Sequence, residues 1–199
     1  MRAVGITEFG GPDALQIVEV PEPEAGSGQV RIRVRAAAVN PTDTLLRDGS
    51  RAEMLKNVPP PHVPGMDAAG VLDQIGPGVQ TELQVGDAVM AVVLPHGTRG
   101  SYAEKVVVPA ESVVRAPAGA SHAEAASLLM NALTVRAALD ALDLQPGQLL
   151  AVTGAAGAVW RLRRRARQGR RPAGRSRRRP PGREAGHRAR RRRGGAARR

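Results

Sequence analysis

The sequence predicts a small antiparallel β-barrel that runs into the opening of an α/β unit, followed by a 40-residue tail that cannot fold alone. Three observations carry this. Short β-type runs punctuated by Gly and Pro fill the chain to about Pro117. An Ala/Leu-rich helical stretch and an apolar strand opening into glycines come next. The composition then changes abruptly after Val159: residues 1–159 carry 11 basic and 17 acidic side chains, whereas residues 160–199 carry 19 Arg and a single acid, Glu184. The net charge of +12 over 199 residues therefore averages two different materials. Only the first has the apolar content and length for a domain-sized core.

The chain contains no cysteine, which excludes disulfides, thiolate catalysis and cysteine-based zinc sites, and a reducing compartment is the natural reading. Met1 to Glu8 enters a strand-like alternation with no apolar run of signal-peptide or membrane-span length. The expectation is a soluble, cytoplasmic protein with no membrane partner.

Leu15–Val20 and Val30–Arg35 are the first internal strands. In the second, Val30, Ile32 and Val34 face one way and Arg31, Arg33 and Arg35 the other, so a solvated basic face is expected in preference to a phosphate site. Further strands are expected at 69–75, 88–94, 103–108 and 112–116, with turns at Gly76-Pro77-Gly78, Gly86-Asp87 and Pro95-His96-Gly97. Pro41–Arg47 reads as one helical turn, with Pro at its first position and Asp43 in its first turn. Ser121 and Glu124 form an S-x-x-E capping box ahead of a helix over 123–142, which Gln145-Pro146-Gly147 stops. Residues 148–153 read as a fully buried strand opening into Gly154-Ala155-Ala156-Gly157. Such a turn lets a pyrophosphate approach a helix N-terminus, although two glycines after a strand can equally be a tight turn, and Trp160 occupies the third glycine position.

From Met1 to Val159 the chain resembles the zinc-independent quinone oxidoreductases of the medium-chain dehydrogenase/reductase superfamily. The resemblance rests on Met1-Arg2-Ala3-Val4 with Phe9-Gly10-Gly11-Pro12, Val39-Asn40-Pro41-Thr42-Asp43 with Arg47-Asp48-Gly49, and Pro64-Gly65-Met66-Asp67-Ala68-Ala69-Gly70-Val71. It continues through Gly76-Pro77-Gly78-Val79, Val85-Gly86-Asp87-Ala88-Val89, Gly100-Ser101-Tyr102-Ala103-Glu104 and Val152-Thr153-Gly154-Ala155-Ala156-Gly157-Ala158-Val159. It implies an α/β protein overall, with a GroES-like barrel domain over 1–118 and the start of a Rossmann domain over 119–159, whereas composition alone marks 160–199 as an Arg-rich disordered tail.

The resemblance further implies NADPH as hydride donor, a quinone or α,β-unsaturated carbonyl acceptor, and a homodimer for an intact relative. Carried over by position, Asn40 and Asp43 are the catalytic candidates, while Asn40, Asn131, Thr134, Gly154, Ala155, Ala156, Gly157, Ala158 and Val159 are the cofactor contacts. Hydride transfer needs orientation and a polarising donor, which the Asn40 amide can supply. Equally, Asn40 and Asp43 could be capping groups of the Pro41 helix. Leu45 stands where many relatives have an aromatic residue, which weakens the expectation of acceptor stacking. Zinc relatives place a Cys at the position of Asn40 and a His-Glu pair at Met66-Asp67; Asn and Met are poor zinc ligands, and His62, His96, His122 and His187 show no ligand spacing, so no metal is expected.

The resemblance stops after Val159. Of the last 40 residues, 34 are Arg, Ala, Gly or Pro, with Trp160 and Leu162 as the large apolar side chains. These four types arise from codons beginning with two G or C bases, the output of GC-rich coding DNA read out of frame. If the T of the Trp160 codon is an inserted base, the second frame permits a glycine pair and an apolar helix, and Gln168 forces Lys or Arg where the family ends that helix with Lys. The first expectation is thus a frameshifted, catalytically incompetent oxidoreductase. The alternative is a polyanion or nucleic-acid binder acting through the Arg-rich tail, which binds anions nonspecifically in any case. Without Lys, RGG periodicity or aromatic interleaving, that tail lacks the features of evolved recognition. A third reading, the barrel acting as a scaffold, has no marked docking loop.

Overall fold

The computed structural model of the chain describes residues 1–145 and 147–152. The strands β1 (Arg2–Ile6) and β2 (Leu15–Glu19) form an antiparallel hairpin around a tight 3-10 turn at Pro12–Ala14. β3 (Gln29–Ala37), β4 (Asp67–Ile75), β5 (Ala88–Val92), β6 (Lys105–Pro109) and β7 (Val113–Arg115) form an antiparallel sheet in the order β6-β3-β4-β5-β7. The two sheets meet through a bridge between Ala3 and Ala103, where the Val4 amide donates to the Tyr102 carbonyl at 2.7 Å.

Alternation decides the inside. Val30 and Ile32 of β3, Leu72 of β4, Val89 and Ala91 of β5, and Val106 and Val108 of β6 point inward and are buried, building the main core. β3 and β4 approach closely, because a Cβ on Gly70 would lie 2.0 Å from the Arg33 carbonyl oxygen. Of the basic face of β3, Arg33 and Arg35 are solvent-exposed as expected, but Arg31 is not. Its side chain is only 11% exposed and is bound by Asp73 at 2.9 Å, Glu24 at 3.2 Å and Glu22 at 3.3 Å. The register brings these acids together from the segment before β3 and from β4, so Arg31 anchors a strand junction and does not face free solvent.

α1 (Pro41–Arg47) occupies the interval assigned to it. The helix expected over 123–142 divides into α2 (His122–Ala126) and α3 (Leu129–Leu142). The Ser121–Glu124 capping box forms, and Ala125 and Ala126 pack onto Ala69 of β4 and Met90 of β5. At Ser127 the chain turns, with the Ser127 hydroxyl donating to the Glu124 carbonyl at 2.9 Å. Packing two small residues on the sheet and then carrying the chain away overrides continuous helical spacing. His122–Leu142, at 21 residues, is long and apolar enough to cross a membrane as one straight helix. The break leaves α3 with 14 residues, about 21 Å of rise against a hydrocarbon core of about 30 Å.

A second expectation also fails. Residues 148–152 form no strand, and Leu149 is 84% exposed. A strand is defined by its neighbour, and among the described residues no strand runs beside this segment. Gly154, Ala155, Ala156, Gly157, Ala158 and Val159 lie outside the described residues, as do His187 and the rest of the segment 160–199.

Candidate functional site

Asn40 leaves β3 in an extended conformation (φ −113°, ψ 155°), as a residue before proline must, and Pro41 opens α1. Asp43, at the third helical position, turns its carboxylate back and accepts from the Asn40 backbone N–H at 2.8 Å. That much is a capping arrangement. The same carboxylate is buried and accepts two further hydrogen bonds, from the Gly65 backbone N–H at 3.0 Å and from the Tyr102 hydroxyl at 3.1 Å. Asp43 therefore joins α1, the strap 62–66 and the segment before β6. Burial, then the adjacent Asp43 charge and hydrogen bond, push the Tyr102 phenol well above its ordinary range.

Gly65 has a backbone that glycine alone adopts comfortably (φ +107°), and a Cβ there would lie 2.2 Å from Ser101 Oγ. The close fit aims the Gly65 N–H at Asp43. Met66 is engaged by the Thr42 hydroxyl at 2.9 Å.

The Asn40 side chain does something else. Its Nδ2 donates to Asp67 Oδ2 at 2.8 Å, while Asp67 Oδ1 accepts from the Met130 backbone N–H at 3.1 Å. Asp67 is 2% exposed, and burial foremost pushes its carboxyl up, with the Asn40 and Met130 hydrogen bonds opposing and the Asp43 charge adding to the rise. In the sequence, Asp67 stands out only as part of the Pro64–Val71 motif and of the Met66-Asp67 pair at the zinc relatives' His-Glu position. The available signal was an acid directly heading the apolar run from Ala68 to Leu72.

Asn131 and Thr134 lie three residues apart on α3, hence on one side of it. Each side chain donates to its own helix, Asn131 to the Ser127 carbonyl at 2.8 Å and Thr134 to the Met130 carbonyl at 2.8 Å, and Thr134 is exposed. Asn40, Asp67 and the start of α3 are thus linked, while Asp43 serves the neighbouring strap. Two surface grooves, of about 430 and 470 Å³, are lined by other residues, the first by Val34–Ala37 with Ser101–Glu104 and the second mainly by Val92–Leu94 and Lys105–Pro109. Among the described residues no group of three or more His, Cys, Asp or Glu side chains converges.

His62 opens the strap. It is 6% exposed, its Nδ1 has no partner, and its ring stacks on Phe9 at 5.8 Å between centroids. Burial, and secondarily His96, hold its imidazole below the ordinary range, so between its folded pKa and about 6.5 the unfolded chain binds the extra proton. Stability should therefore rise with pH through that window and level off above it. Urea midpoints at pH 5 and pH 8 should show that slope reduced in His62→Phe; an unchanged slope would refute the assignment.

The class of protein follows from matches outside the chain. Residues 26–118 match the alcohol dehydrogenase GroES-like domain. The human synaptic vesicle membrane protein VAT-1 homolog is 36% identical over 163 residues, covering 80% of this chain and 39% of that protein. The quinone oxidoreductase of Lama guanicoe is 33% identical over 163 residues, covering 80% of this chain and 47% of that protein. Among solved structures, the quinone oxidoreductase from Coxiella burnetii superposes with a TM-score of 0.75 at 32% identity, over 84% of this chain and 53% of that one. A mycobacterial protein solved in complex with NADPH superposes at 0.68 with 30% identity, over 81% and 48%. The chain carries a GroES-like domain over residues 26–118 and is similar to quinone oxidoreductases and VAT-1 proteins of the medium-chain dehydrogenase/reductase superfamily. It spans about half, or less, of the length of the relatives it matches.

Proposed function

We propose that this chain carries the acceptor side of a zinc-free, NADPH-dependent oxidoreductase acting on quinones or α,β-unsaturated carbonyls, and that the 199-residue chain does not turn over by itself. The supporting observation is the Asn40 amide, fixed by one hydrogen to Asp67 at the junction of α1, β4 and α3. Its second Nδ2 hydrogen is the donor to an acceptor oxygen on which negative charge develops, and Asp43 holds the neighbouring strap through the Gly65 N–H. Asn131 and Thr134 offer polar atoms along one side of α3 to the nicotinamide cofactor, and Gly154–Val159 would hold its pyrophosphate. Bound NADPH supplies the hydride.

The relatives' names and the NADPH complex of one of them support this reading. The donor set Asn40, Met66 and Asp67, with Met66 already engaged by Thr42, supports the absence of zinc. We place the barrel domain at 1–118 and the cofactor-side segment at 119–159, in a cytoplasmic protein. The composition of 160–199 supports an out-of-frame origin for that segment, whose Arg side chains bind anions in a salt-dependent, unspecific way. The purified protein should show no quinone-dependent NADPH oxidation above background. Saturable turnover would overturn the inactivity, and coding DNA with no Rossmann-like second frame beyond codon 160 would overturn the out-of-frame origin.

A further inference from the structure

Asp67 is a buried carboxylate at the first position of β4, followed by Ala68 and Ala69, which are 1% and 0% exposed. No Lys or Arg pairs with it among the described residues. An apolar side chain at such a place is better for stability, since a buried charge without a counter-ion is costly. What compensates it is two N–H donors, one on each oxygen: the Asn40 side-chain amide and the Met130 backbone. The Met130 N–H belongs to the first turn of α3, where N–H groups lack intrahelical partners and the helix dipole favours a negative charge. Leu128, at the N-cap of α3, provides no side-chain cap. Asp67 takes that role from 63 residues away.

With each oxygen committed, the carboxylate cannot rotate without breaking a bond, and neither can the amide it holds. We propose that Asp67 is a positioning residue. It sets the direction in which Asn40 presents its free Nδ2 hydrogen and ties that direction to the first turn of α3, so that the donor of α1 and the helix bearing Asn131 and Thr134 keep a fixed relation. The inference rests on Asn40 being the acceptor-side donor.

The test uses the ¹³C,¹⁵N-labelled full chain and the Asn40 side-chain amide resonances, assigned with Asn40→Ala. In the parent, one Nδ2 hydrogen should exchange with solvent about tenfold or more slowly than in Asp67→Asn, which keeps the side-chain shape but loses one acceptor oxygen. Equal exchange in both proteins overturns the proposal. Asn40→Ala keeps it falsifiable if Asp67→Asn does not fold: losing the donor should raise the Asp67 titration midpoint, followed by carboxyl ¹³C shifts, whereas a bystander carboxylate would not move. Duroquinone added to the same samples separates the two readings. If it perturbs Asn40 in the parent and less in Asp67→Asn, both stand. If Asp67→Asn frees the amide but duroquinone never perturbs Asn40, the positioning stands and the acceptor reading fails.

Discussion

Gly100→Ala should destabilise the protein by about 3 kcal/mol, lowering the unfolding midpoint by roughly 10 °C. A Cβ on Gly100 would lie 2.0 Å from the Val63 carbonyl oxygen and 2.1 Å from that of Pro64. Both are main-chain atoms and cannot swing aside as a flexible side chain would. The strap they belong to is held on every side: the His62 backbone pairs with Ile6, the Val63 N–H donates to Gly97, and the Tyr102 N–H donates to Pro64. Moving the strap would also withdraw the Gly65 N–H from Asp43. Gly11→Ala is the control, because no atom lies within 4 Å of its added Cβ and its φ of −68° is ordinary. It should stay within about 0.5 kcal/mol of the parent. Comparable midpoints for the two variants would show that the strap yields.

Asp43→Ala should cost about 3–5 kcal/mol, since three donors, two of them backbone N–H groups, lose their acceptor at once. Asp43→Asn should fall between, because one acceptor oxygen remains. Tyr102 gives a readout separate from stability, being the sole tyrosine of the chain. In the parent, tyrosinate absorbance should be missing at about pH 10, where a free phenol is half ionised, because burial and the Asp43 carboxylate both oppose ionisation. Removing the Asp43 charge should bring the phenol part of the way back down. Unfolding within about 1 kcal/mol of the parent and an unmoved Tyr102 titration would together refute the role given to Asp43.

Where local chemistry decides, the sequence was a sufficient guide. Pro at the first helical position with Asp three residues after Asn40 marks α1, and Ser121 with Glu124 marks the start of α2. Register and packing were not legible in the same way. That Arg31 would meet Glu22, Glu24 and Asp73 depends on which strand lies beside β3, and period-2 alternation alone assigns it to solvent. The break at Ser127 depends on Ala125 and Ala126 fitting against Ala69 and Met90. The strand expected at 148–153 had the composition of a buried strand, yet pairing is a property of two strands and none is described beside 148–152. In the site, the Asn40–Asp43 spacing was readable because both lie within one helical turn. The Asn40–Asp67 and Asp67–Met130 bonds span 27 and 63 residues and emerge only with the fold.

Replacing residues 160–199 with the corresponding second half of the Lama guanicoe quinone oxidoreductase tests the functional assignment most directly. The fusion should bind NADPH and reduce quinone, and Asn40→Ala in it should lower kcat/KM about 100-fold. A fusion that binds NADPH but reduces no quinone, or one whose turnover is indifferent to Asn40→Ala, would contradict the assignment of the acceptor site to Asn40.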